Sequence, residues 1–121
     1  MVFNISESMG NVMLNSLSDM LNGGYLELLT SGGEVVVVLT LPNPVAQEAA
    51  GGELKFNPIP EATAEMAGQV QFARALAPSG DEVFACDISD EGGDGVIRLS
   101  TTQLGVGSPV KLNSFKLRTP S

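Results

Sequence analysis

Near the start of the chain, apolar residues recur at helical spacing. Met9, Val12, Met13, Leu17, Met20 and Leu21 follow an i, i+3, i+4 rhythm, which predicts one amphipathic helix over residues 6–21. Ser6 or Ser8 can cap its start, Glu7 suits the positive end of the helix dipole, and Gly23-Gly24 ends it. Gly10 weakens the first turn. Beyond Gly24 the period changes to two. Tyr25 to Leu29 predicts a short strand and Ser31-Gly32-Gly33 a turn. Glu34 to Leu41 is β-branched and almost wholly apolar, which predicts a central strand buried on both faces. Pro42-Asn43-Pro44 ends it. Residues 45–53, rich in alanine, glycine and acid, predict a loop. Leu54 to Asn57 predicts a strand, with Pro58-Ile59-Pro60 extended at a sheet edge.

Met66 to Ala77 has helix-forming alanines, but Val70 and Phe72 alternate with Gln69, Gln71 and Ala73, so a strand is expected. Pro78-Ser79-Gly80-Asp81 turns the chain, and Val83 to Ile88 returns as a hairpin partner. Ser89 to Gly95 predicts a loop, Val96 to Ser100 a strand, Leu104 to Gly107 a turn, and Pro109 to Arg118 the last strand. In that strand Val110 and Leu112 share one parity while Phe115 and Leu117 share the other, which predicts a bulge near Asn113-Ser114. The pattern as a whole predicts a mainly β fold. It is an antiparallel, jelly-roll-like β-sandwich of about seven strands over 25–118, with one N-terminal α-helix, in a single domain of residues 1–121.

Composition fits that expectation. At 121 residues and 43% apolar the chain can bury a core without metal or disulfide staples. Its one cysteine, Cys86, allows no internal disulfide and reads as a small buried hydrophobe. With no histidine in the chain, a cysteine nucleophile would lack its usual base, and the commonest metal ligand is missing. No enzyme activity and no cofactor are expected. The net charge of −8 argues against nucleic acid as a partner. No apolar run, Val35 to Leu41 included, is long enough to span a bilayer, and Met1 to Asn4 lacks the basic start of a signal peptide.

Asp87, Asp90, Glu91 and Asp94 lie within eight residues and form the one candidate cation loop. Their spacing is not that of an EF-hand, and a solvated acidic turn is the expected reading. Charge placement says more. Residues 1–54 hold six acids and no base, whereas Lys111, Lys116 and Arg118, half of all the bases, fall in the last eleven residues. These three bases are expected to form a basic docking edge, and Met9, Met13 and Met20 a contact stripe on the helix.

Gly68 to Arg74, Ser79 to Val83, Ser89 to Asp94, Gly107 to Val110, and Ser114-Phe115 with Pro120 resemble a group of short tailed-bacteriophage virion proteins. The resemblance covers residues 66–120. It implies a capsid cement or decoration protein that binds the major capsid protein and copies of itself. Such a protein is assembled in the bacterial cytoplasm and sits on the capsid exterior. A tail or baseplate component, or a carbohydrate- or receptor-binding module, are the alternatives. A sugar platform needs exposed aromatics, and Tyr25 alone is a thin supply.

Overall fold

The computed structural model describes residues 7–93, 95–112 and 114–118, with the side chains of Glu7, Ser8, Ser114 and Arg118 outside the description. One helix, α1 (Glu7–Leu21), precedes the strands β1 (Tyr25–Leu29), β2 (Val35–Thr40), β3 (Glu53–Lys55), β4 (Ala62–Thr63), β5 (Gly68–Gln69) and β6 (Phe72–Leu76). Then follow β7 (Glu82–Asp90), β8 (Ile97–Leu99), β9 (Gln103–Leu104), β10 (Pro109–Val110) and β11 (Ser114–Arg118). The chain is mainly β. Seven strands form one sheet in the order β2-β1-β6-β7-β8-β11-β3, and two short ladders, β4 with β10 and β5 with β9, stand beside it. One continuous apolar core runs from Leu14 and Leu21 of α1, through Leu26, Leu39, Ala73, Ile97 and Leu54 of the sheet, to Leu104 and Val110 of the ladders.

The sheet is mixed, which corrects the antiparallel expectation. β7 and β8 run parallel, with Ile88 beside Ile97 and Ser89 beside Arg98. Parallel neighbours ordinarily need a long crossover. Here the chain folds back over a few residues because glycines permit it. Gly92 donates to the Asp90 carboxylate at 3.0 Å, and Gly95 donates to Ser89 Oγ at 2.8 Å. A Cβ on Gly95 would collide with the backbone of Ile88 and Ser89.

Two other expectations change. β2 lies at one end of the sheet, not in its centre. It stays apolar because the Glu65 amide donates to the Val36 carbonyl at 2.8 Å, so residues beside β4 cover that flank, while Val38 is 39% exposed. The parity slip after Val110 is a change of sheet. Val110 pairs with Ala62 in a ladder, whereas Phe115 pairs with Ile97 in the main sheet. Asn113, the expected bulge, lies outside the described residues. The β6–β7 hairpin forms in the expected place, with Ala73 opposite Cys86.

The 45–53 segment is bound to the helix. The side-chain oxygens of Asn11, Asn15 and Asn22 accept from the backbone amides of Gly52, Ala49 and Val45 at 2.9, 2.8 and 2.8 Å. Val45, Ala46 and Ala49 are buried beneath this contact. Asn15→Ala would orphan the Ala49 amide and should cost about 1–3 kcal/mol, measured by urea unfolding. Asn15→Asp keeps an acceptor there and should cost less. Equal losses in the two variants would show that the bond carries no weight.

Candidate interaction surfaces

The asparagine contacts fix which side of α1 faces inward. Gly10, Leu14, Ser18 and Leu21 are buried and Leu17 packs on the core. The opposite side carries Met9, Val12, Met13 and Met20, exposed at 56%, 59%, 49% and 54%. The expected single stripe is thus divided: Leu17 and Leu21 go to the core, while the three methionines and Val12 go to the surface. Positions 9, 13, 16 and 20 advance by four, three and four residues, so they share one helix face, and Ser16 is exposed among them. Methionine suits such a face because its unbranched thioether adapts to varied partners.

The basic residues are gathered by strand pairing. Phe115 faces the core with Ile97 and Leu54, so residues of the other parity face outward. Lys116 sits opposite Lys55 of β3, and Ser114 sits opposite Arg98 of β8. Lys55, Arg98 and Lys116 are all exposed on this outer face. Arg118 occupies the next strand position of the same parity, opposite Glu53. Lys111 is placed elsewhere. It follows β10 and lines a shallow groove with Pro58, Ile59, Pro60 and Glu61. Of the expected three-residue edge, Lys116 therefore lies on a sheet face shared with Lys55 and Arg98, Lys111 does not, and the side chain of Arg118 lies outside the described residues. Alternation marks Lys55 and Arg98 as outward, since Lys55 follows Leu54 and Arg98 stands between Ile97 and Leu99. Their meeting depends on strand order, which alternation does not encode.

The acidic loop is occupied by its own backbone. Asp87 Oδ1 accepts from the Val96 amide at 3.2 Å and Asp90 Oδ1 from Gly92. Among the described residues, no three acidic or cysteine side chains converge as a cation site, and Asp94 lies outside them. Arg74 is held by Glu27 at 2.6 Å, with Glu82 at 4.0 Å. Phe56 and Phe115 stack on each other with centroids 3.8 Å apart.

Cys86 lies beneath the β6–β7 hairpin. Burial first, and the Asp87 carboxylate second, push its thiol from an ordinary 9.0 to about 12. The thiol is therefore protonated and unreactive at neutral pH. A thiol with a raised folded value stabilises the fold fully below 9.0, and that contribution is lost as pH rises from 9.0 towards about 12. The melting temperature of the wild type should fall through this window more steeply than that of Cys86→Ala. Parallel curves would contradict it.

No family model, no curated protein and no solved structure matches the chain.

Proposed function

We propose that this chain is a non-enzymatic virion structural protein, a capsid cement or decoration protein that binds and stabilises a lattice of major capsid protein. The observation that carries the reading is the two-sided helix. Its inner side is fixed to the core by leucines and by the three asparagines, so the outer methionine face is rigidly presented. A preformed apolar face loses little conformational entropy on docking. Repetition across a lattice turns a modest contact into tight occupancy. The second half of the chain resembles tailed-phage virion proteins, which makes the capsid exterior the surface proposed. The protonated thiol, in a chain without histidine, supports a role other than catalysis. The reading includes a sandwich-like architecture, with the two ladders as a reduced second layer.

The test mixes purified chain with particles assembled from major capsid protein alone and pellets the mixture. Saturable co-pelleting and a higher temperature of particle disruption are expected. A chain that stays in the supernatant, with particle disruption unchanged, would refute the proposal.

A further inference from the structure

Charge is segregated along the strand order of the main sheet. The run β2-β1-β6-β7 carries Glu27, Glu82, Asp87 and Asp90 against one base, Arg74. The run β8-β11-β3 carries Arg98, Lys116, Arg118 and Lys55 against one acid, Glu53. Pairing sharpens the contrast. Arg74 is already engaged by Glu27 and Glu82 on the acidic side. On the basic side, Lys55 has only a 4.0 Å approach to Glu53, and Arg98 and Lys116 have no ion pair among the described residues. Lys55 and Lys116 stand directly opposite each other across two antiparallel strands. Like charges so placed destabilise a sheet. The arrangement is costly in an isolated chain that has 14 acids available for 6 bases.

We infer that this cost is relieved by a second copy of the chain: the basic β8-β11-β3 face of one copy docks on the acidic β2-β1-β6-β7 side of the next. The complementary surfaces are both on this chain, one at each end of the same sheet. On the acidic side Glu82 and Asp87 lie on the outer face, and exposed Glu34 and Glu65 flank β2. Two different surfaces meeting in this way make a heterologous, head-to-tail contact, which repeats into a ring or an open filament. Screening sets the conditions. The Debye length is about 10 Å at about 0.1 M salt and about 3 Å at about 1 M, so the contact is strong at low salt and weak at high salt. The inference uses surfaces apart from the methionine face and stands independently of the capsid reading.

Sedimentation velocity tests it with the full chain at about 0.05 M and about 0.5 M salt. Wild type should form oligomers at low salt and monomers at high salt. Arg98→Gln with Lys116→Gln removes the basic surface, and Glu34→Gln with Glu82→Gln removes the acidic one. Each double variant should be monomeric alone at low salt. An equimolar mixture should form dimers and no larger species, because only one productive pairing remains. At about 0.5 M salt, where both are monomers, the basic-face variant should melt no lower than wild type, since it removes a like-charge pair. A wild type that is monomeric at low salt would overturn the inference. So would an oligomer indifferent to salt and to both double variants. Pelleting with capsids reads the helix face separately, so failure of either idea is seen without the other.

Discussion

Replacing Gly24 with alanine should lower stability by about 3 kcal/mol, against about 1 kcal/mol for Gly23→Ala. The two neighbours differ in mechanism. Gly23 has φ +74° and open space around it, so alanine there meets only the left-handed backbone penalty. A Cβ on Gly24 would instead be driven into the Leu76 carbonyl, with the Leu21 carbonyl oxygen 3.1 Å away. Neither obstacle is a flexible side chain. Leu76 is held opposite Tyr25 in the β1–β6 pairing, and the Gly24 amide donates to the Leu21 carbonyl at 2.8 Å. The Gly24 carbonyl also accepts from the Leu41 amide at 2.9 Å. Relief therefore requires the helix, β1 and β6 to part. Denaturant midpoints of the two variants measure the difference. A Gly24→Ala as mild as Gly23→Ala would mean that the helix does not join the sheet as described.

Met13→Asp with Met20→Asp should abolish capsid binding while leaving the free chain folded. Both side chains are about half exposed, so the substitutions should change stability by no more than about 0.5 kcal/mol. In a docked complex the same positions would bury two unpaired carboxylates. Even about 1.5 kcal/mol lost at each site weakens one contact by more than about a hundredfold. On a lattice the loss recurs at every copy. Met13→Leu with Met20→Leu keeps apolar area and should retain binding. Pelleting with capsids, alongside thermal melting of the free variants, gives the answer. Full occupancy by the aspartate variant would move docking away from α1.

Local order was legible in the sequence wherever one short-range cause fixed it. The helix stops at Leu21 because Gly23-Gly24 follows, and the β6–β7 hairpin forms around Pro78 to Asp81, as turn chemistry requires. The parity slip between Val110 and Phe115 was visible, but its cause was not. A bulge and a change of sheet leave the same mark on alternation, and only the partners Ala62 and Ile97 separate them. The parallel β7–β8 pair was hidden for a related reason: the glycines at 92, 93 and 95 that permit it also suit an ordinary hairpin loop. In the helix, methionine and leucine count equally in a periodicity. The asparagines that orient it act on amides 34 to 41 residues away at Ala49 and Gly52, beyond the reach of local pattern. Of the candidate surface residues, Lys116 was visible by alternation. Its company with Lys55 and Arg98 came only with strand order.

The most direct test of the account is the molar ratio of this chain to major capsid protein in purified intact particles, measured with isotope-labelled peptides of both. A decoration protein repeats with the lattice, so the account predicts a fixed simple ratio, corresponding to hundreds of copies per particle on the order expected of lattice-wide binding. A few copies per particle, or none, would contradict it.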